Sequence, residues 1–159
     1  EDVDAVRNAC LTMPDSVGDL HGFLIEEMAP AGHEVIVGGI IDPQFGPVLM
    51  VGLGGIFVEV LADVACRICP INRGDAAAML NELRAVAVLD GARGQTAASR
   101  DAIVDVLMRV GGSEGLLFRQ QAEIAELDIN PLIVSRDGAV AVRVTCGDAH
   151  TRLNAAGAT

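Results

Sequence analysis

The sequence predicts an α/β (α+β) domain, a largely antiparallel sheet with helices packed on it. Three observations carry that expectation. The first half holds short Val- and Ile-rich runs punctuated by Pro and Gly, which is the pattern of antiparallel strands joined by tight turns. From Asp75 to Gly112 the apolar spacing lengthens to the helical period. After Glu123 the strand pattern returns around an Asp137-Gly138 turn. Strands, then helices, then a closing hairpin fit two packed layers. With 159 residues and 51% hydrophobic content, the chain has the material for one domain and its core.

Taken in order, Asp2 to Met13 reads as a helix, with Val3, Val6 and Cys10 on one face. Residues 14–21 read as a polar loop, Phe23–Met28 as a short strand and Ala29–Gly32 as a turn. Glu34–Asp42 is a strand, Pro43–Gly46 turns the chain, and Val48–Leu53 returns. Gly52–Gly55 breaks that strand, and Phe57–Leu61 and Val64–Cys69 follow. Asp75 is placed to cap a helix that buries Ala76, Met79, Leu80 and Leu83. Ser99 is placed to cap a second helix, with Ile103, Val106, Leu107 and Val110 inward and a stop at Gly111-Gly112. Ile124–Val134 and Ala139–Cys146 form the closing hairpin, and the small polar tail from Gly147 is expected to fray.

Net charge is −11, from 22 acids and 11 bases, and every base is arginine. Without lysine this chain supplies neither a Walker phosphate loop nor a Schiff base. An acidic chain with no Trp or Tyr and no basic cluster argues against nucleic-acid binding. The longest uncharged stretch, Pro43–Val58, is 16 residues with two prolines and four glycines, too short and too broken to span a membrane as a helix. The start Glu1-Asp2-Val3-Asp4 lacks the basic opening of a signal peptide. Cys10, Cys66, Cys69 and Cys146 therefore read as reduced, buried thiols of a cytoplasmic protein.

The stretch from Glu126 to Pro131 is the richest in chemistry. On a strand, Glu126, Asp128 and Asn130 share one face, and Ala125, Leu127 and Ile129 share the other. Three oxygen-bearing side chains in a row suit a hard cation such as Mg²⁺, and equally a solvated strand face. Pro131 restricts the strand to an edge or a bulge. With Asp137 and Gly138 as the two loop residues, Leu132 opposes Arg143 and Asn130 opposes Thr145, so Arg143 and Thr145 join the polar face. Glu26, Glu27 and Met28, followed by Glu34 across a Pro/Gly turn, set Glu26 and Glu34 near one cleft, as ligands for a ribose and base or as a charged hairpin. Gly52–Gly55 is a phosphate-approach loop or a sheet bend. Cys66 and Cys69 have C-x-x-C spacing but point to opposite faces on a strand, and Arg67 between them is a phosphate contact or an ion-pair partner. His21, His33 and His150 have no partner at catalytic spacing.

The run EVIVGGIIDPQFGPVLMVGLGGIFVEVL, Glu34 to Leu61, closely resembles the ATP-grasp domain of ADP-forming acyl-CoA synthetases. That group is related to succinyl-CoA synthetase β subunits and to synthetase-like proteins fused to acetyltransferases. Ala65–Pro70, Asp75–Leu80 and the ELDINPL run at Glu126–Leu132 continue the likeness in order, over about residues 1–146. The resemblance implies ATP or ADP and Mg²⁺ as ligands. It implies that Phe23–Met28 is an adenine-reading hinge with Glu26, Glu27 and Met28 at the nucleotide. It implies Glu34 near the ribose and Asn130 at the metal, to which the reading of the strands adds Asp128 as a second metal ligand and Arg67 as a further nucleotide contact. The implied chemistry is reversible phosphoryl transfer, acid, CoA and ATP to acyl-CoA, ADP and phosphate, through a phosphohistidine.

Two departures accompany it. Such folds carry an upstream lobe with a phosphate-binding lysine, so residues 1–146 are expected to be the C-terminal portion of an ATP-grasp domain and 147–159 a polar tail. The expectation is of a chain without turnover alone and with weak ATP binding. Its expected partners are the upstream lobe and a CoA-binding domain, and exposed apolar surface favours self-association. The related sequences place an Asp metal ligand in the last hairpin strand; here either Arg143 replaces it or an Asp-Ala pair is deleted before Arg143, and Arg143 is expected to pair with Asp128 or Glu126. That loss leaves open a degenerate, regulatory ATP-grasp module.

Overall fold

A computed structural model describes residues 2–13, 21–55, 62–91 and 96–148. The sequence expectations for residues 14–20 and 56–61, and for the tail from Ala149, lie outside those residues.

The first helix, α1 (Val3–Thr12), starts where the Asp2 side chain accepts the Ala5 N–H at 2.8 Å. It buries none of its residues, and Val3 and Leu11 are exposed. The following stretch, residues 21–32, contains no strand. Phe23–Met28 therefore lies outside any ladder, contrary to the strand expected there. The outer lane that it would need is filled by residues 139–148.

Strand β1 (His33–Asp42) pairs antiparallel with β2 (Gly46–Leu53), and β2 with β3 (Val64–Ile68). The β1–β2 turn closes on Asp42, whose carboxylate accepts the N–H groups of Gln44 and Phe45 at 2.8 and 2.9 Å. Gly46 leaves the turn at φ +74°, a backbone that favours glycine. β4 (Ile124–Val134) pairs with the other side of β1. Its outer neighbours are β5 (Ala139–Ala141) and β6 (Val144–Asp148), two short strands sharing one lane. The spatial order is β3-β2-β1-β4-β5, with β6 also on β4, and every pairing is antiparallel.

The helices cover one face of this sheet. They are α2 (Arg73–Glu82), α3 (Arg100–Gly111) and the short α4 (Leu116–Arg119), with a 3₁₀ turn at Val86–Asp90. α2 begins with a capping box, in which Asn72 accepts the Asp75 N–H and Asp75 accepts the Asn72 N–H. Asp75 is thus the third helical residue rather than the cap. Ser99 caps α3 as expected, through the Ala102 N–H. The core lies between the layers. Val35, Val37, Leu49, Val51, Leu127 and Leu132 of the sheet meet Met79, Leu80, Ile103, Leu107 and Leu117 of the helices, all under 4% exposed. Gly39 lets α4 seat closely, because a Cβ there would run into the Leu117 side chain. No helix among the described residues is long and apolar enough to cross a membrane.

Candidate functional site

Strand alternation divides the sheet residues between the two faces. On β1 the odd-numbered residues Val35, Val37 and Gly39 face the helices, and Glu34, Ile36, Gly38 and Ile40 face away. On β4, Leu127 and Ile129 are buried and Glu126, Asp128 and Asn130 are exposed, as the sequence spacing predicts. Asn130 and Pro131 stand at a register shift between β1 and β4, the bulge that Pro131 demands inside a sheet.

The ladders then assemble rows across the uncovered face. Cys66 pairs with Met50, Met50 with Gly38, Gly38 with Asp128, and Asp128 with Thr145. The neighbouring row runs Ile68, Val48, Ile40, Glu126, Gly147. Together they line a groove of about 520 Å³. Its β2–β3 side is apolar, with Val48, Met50 and Cys66, and its β4–β6 side is acidic and polar, with Glu126, Asp128 and Thr145. Glycines make the room. Gly38 forms the floor beneath Met50, where a Cβ would stand 3.1 Å from the methionine methyl. Gly147 lies under Glu126, where a Cβ would stand 2.6 Å from Cγ. Gly38, Met50 and Gly147 are not singled out by the sequence, and Cys66 is singled out only for its C-x-x-C spacing with Cys69. Counting back from the Asp42–Gly46 turn pair would have found Met50 opposite Gly38.

The hairpin register differs from expectation by two residues. The Ser135 N–H donates to the Gly138 carbonyl at 2.9 Å, so Arg136 and Asp137 are the loop residues. Thr145 therefore opposes Asp128 rather than Asn130, and Leu132 opposes Ala141 rather than Arg143. A two-residue slip keeps each side chain on its face. Arg143 lies between β5 and β6, and its carbonyl accepts the Asn130 N–H at 3.0 Å. The expected pairing of Arg143 with Asp128 or Glu126 is not made. Among the described residues the ion pairs are Arg7–Asp4, Arg67–Glu82, Arg73–Asp105 and Arg100–Asp90.

Glu26, Glu27 and Met28 are exposed and border a depression of about 350 Å³ whose far wall is Val140–Val142. Glu34 is exposed on the uncovered face, packed on Gly54, whose N–H donates to the Glu34 carbonyl at 2.7 Å. Glu34 pairs with Ile133, and Ile133 with Val140. Glu34 thus stands two strand spacings, about 10 Å, from the wall of the Glu26 depression. Arg67 takes the other face. Its guanidinium grips the Glu82 carboxylate of α2, Nη1 to Oε2 at 3.0 Å, which raises the Arg67 pKa and lowers that of Glu82. Of the two readings of Arg67, the geometry favours the ion pair. Cys66 and Cys69 point to opposite faces, Cys66 exposed and Cys69 buried, and burial pushes the Cys69 thiol up. All four cysteines are free, but contrary to the buried thiols expected only Cys69 is buried, with Cys10 half-buried and Cys66 and Cys146 exposed on strands that alternate toward solvent. His33 is buried with Nε2 2.9 Å from the Thr96 carbonyl, a structural contact.

The ATP-grasp domain family matches residues 1–146. The chain is 47% identical over 137 residues to the acetate–CoA ligase [ADP-forming] I subunit beta of Pyrococcus furiosus, covering 86% of this chain and 56% of that protein. It is 36% identical over 120 residues to the 4-hydroxybutyrate–CoA ligase [ADP-forming] of Nitrosopumilus maritimus, covering 76% of this chain and 17% of that one. Among solved structures it superposes on the dinucleotide forming acetyl-coenzyme A synthetase 1 of Ca. Korarchaeum cryptofilum in complex with coenzyme A and Mg-AMPPCP. That match has a TM-score of 0.66 at 43% identity, covering 76% of this chain and 55% of the other. The same synthetase with coenzyme A, acetyl-coenzyme A and a phosphorylated phosphohistidine segment gives a TM-score of 0.77 at 37% identity, covering 91% and 66%. The chain spans about half the length of the ADP-forming acetate–CoA ligase β subunits it matches. The fold and the matched length agree: the chain belongs to the ATP-grasp domain family.

Proposed function

We propose that this chain is a nucleotide-binding part of an ADP-forming acyl-CoA synthetase, acting in the exchange of acid, CoA and ATP with acyl-CoA, ADP and phosphate. The observation that carries the proposal is the uncovered groove, which joins an apolar floor to an acidic row on a sheet shared with such enzymes. A nucleotide needs both: an apolar surface for the base and polar groups for ribose and phosphates. In this reading Glu26, Glu27 and Met28 meet the adenine edge at the hinge depression. Glu34, two strands away on the same face, accepts from a ribose hydroxyl. The polyphosphate runs toward Asp128 and Asn130. Arg67, bound to Glu82 on the helix-covered face, holds α2 to β3 and leaves the nucleotide to the others.

The relative crystallised with Mg-AMPPCP raises the question of the metal. Asp128 and Asn130 are the oxygen donors such an ion would meet here. They do not form a closed site. Among the described residues no group of three His, Cys, Asp or Glu converges on a point, and Arg143 and Thr145 occupy the facing lane. A Mg²⁺ ion on a nucleotide takes one or two protein oxygen ligands together with the phosphates rather than an all-protein cage, so Asp128 and Asn130 are the residues that would hold it, with Arg143 across from Asn130 where a further carboxylate is lacking. What the chain itself supplies is positioning: a rigid sheet face that holds base, ribose and phosphates in line and excludes water from one side.

Further domains or subunits would supply the acyl and CoA sites, a reading supported by the relative named as one subunit of a ligase. The facing Arg143 favours a second reading, a nucleotide-sensing module without turnover. One assay separates the two. The polypeptide or complex that carries this chain is incubated with ADP, phosphate and a panel of acyl-CoA thioesters, and ATP and free CoA thiol are followed. Turnover that collapses in Asp128→Ala supports the enzyme. Tight ADP binding with no thiol release from any thioester supports the module.

A further inference from the structure

A depression of about 410 Å³ lies where the start of β1, the approach to α3 and the β4–β5 turn meet. It shares no lining residue with the groove on the uncovered face. Its walls are fixed. Gly32 packs on the end of β4, where a Cβ would stand 2.6 Å from the Val134 carbonyl oxygen. The Ser135 carbonyl accepts the Ser99 N–H at 2.9 Å, and Ser135 Oγ accepts the Asp137 N–H at 3.2 Å. His33 lines the depression and is only 8% exposed, with Nε2 2.9 Å from the Thr96 carbonyl. A carbonyl only accepts, so Nε2 carries the proton and Nδ1 of the neutral ring is an acceptor. Among the described residues nothing bonds Nδ1, and every fully buried side-chain nitrogen or oxygen there has a partner. Nδ1 is therefore open, and the depression is what it opens onto.

Arg136 and Asp137 bring opposite charges to the same depression. They are consecutive and exposed, yet neither enters an ion pair among the described residues, with each other or with a third group. An anion alone would meet the Asp137 carboxylate and the Nδ1 lone pair. A cation alone would meet the guanidinium. A ligand that carries a carboxylate and an ammonium on one carbon suits all three groups. The Arg136 fork donates to its carboxylate two hydrogen bonds at a time. Its ammonium, which only donates, is accepted by Asp137 and by His33 Nδ1. We propose that this depression is a binding site for a free α-amino acid, held by its head group between Arg136, Asp137 and His33. The volume lies within the range of small-molecule clefts and leaves room for a side chain beyond the head group. The proposal rests on no part of the nucleotide reading.

The test is amide NMR of the chain titrated into the millimolar range with each of the common α-amino acids, and with acetate and methylammonium as single-charge controls. The expected result is saturable shifts at Gly32, His33, Thr96 and Asp137 with at least one amino acid, bound about tenfold or more tighter than either control. Arg136→Gln and Asp137→Asn, both on an exposed turn, should each weaken that amino acid by about tenfold or more. Arg136→Lys should recover part of the loss. Variant spectra that overlay on the parent away from the β4–β5 turn show that the fold is kept. If no amino acid moves these amides, the proposal fails. Acetate that binds as tightly as the best amino acid would make this an anion site only and overturn it, as would an amino-acid affinity unchanged in both Arg136→Gln and Asp137→Asn.

Discussion

The carboxylate of Asp63 accepts the backbone N–H of Arg84 at 2.8 Å and, with its other oxygen, that of Ala85 at 2.9 Å. Asp63 is 4% exposed. It ties the approach to β3 to the segment leaving α2, and it satisfies two N–H donors leading into the Val86–Asp90 3₁₀ turn. Asp63→Ala orphans both, and should cost about 2–4 kcal/mol. Asp63→Asn keeps one acceptor and should fall between. Urea unfolding midpoints check the order. Equal stability of all three forms would show that water replaces the carboxylate.

Gly39 is set by packing rather than by backbone conformation, since a Cβ there would enter the Leu117 side chain. Gly39→Ala should destabilise by about 1–3 kcal/mol, the usual range for overpacking a core. Leu117→Ala makes room on the other side, so the double variant should be more stable than the sum of the two losses predicts. Strict additivity in thermal unfolding would refute the contact.

Much of this architecture is legible in the sequence, and the misses have physical causes. β1, β2 and the Ser99 cap are each announced by local signals: β-branched runs between turn residues, and a hydroxyl before a helical period. The acid row on β4 follows from alternation alone. Phe23–Met28 reads as a strand because composition reports only the willingness to extend, whereas a strand also needs a free sheet edge. Asn72 was missed as the α2 cap because Asp75 sits nearer the apolar run; in a capping box both take part. The hairpin slipped by two because Asp137-Gly138 is a common loop pair, while the chain closes Ser135 on Gly138 instead. The face of Thr145 survived that error and its partner did not. The apolar half of the groove was invisible because Met50 and Cys66 meet the acids only through β1, a tertiary pairing.

The Arg67–Glu82 pair should show in the titration of Glu82. The hydrogen bond from Arg67 is the main cause that holds the Glu82 pKa below its ordinary value. A depressed carboxylate contributes stability above its unfolded-state pKa and loses it as pH falls through the folded value. The contribution should therefore be intact near neutrality and vanish only in acid, below the usual Glu range. Carboxyl NMR of Glu82 should show a low midpoint that returns toward normal in Arg67→Ala, with ADP affinity unchanged. An ADP affinity that falls with Arg67 would restore it to the nucleotide site.

The thiols should react in an order set by place. Cys66 and Cys146 are exposed, while Cys69 is buried with its pKa raised by desolvation. Under limiting iodoacetamide, peptide mass spectrometry should find Cys66 and Cys146 modified well before Cys69. Saturating ADP should slow Cys66, which lines the groove, and leave Cys10 on α1 unaffected. Early modification of Cys69 would contradict the burial of the β3 exit.

The central claim is that a nucleotide lies on the uncovered face of the sheet, across the row from Cys66 to Thr145. The most direct measurement is an amide chemical-shift map of the chain at saturating, millimolar ADP. The largest shifts should fall at Gly38, Met50, Asp128 and Thr145, with Glu34 and the Glu26–Met28 segment following, and little change at Ala76 or Leu107 behind the sheet. Shifts confined to the helix-covered side, or to the separate depression around His33 and Arg136, would contradict it.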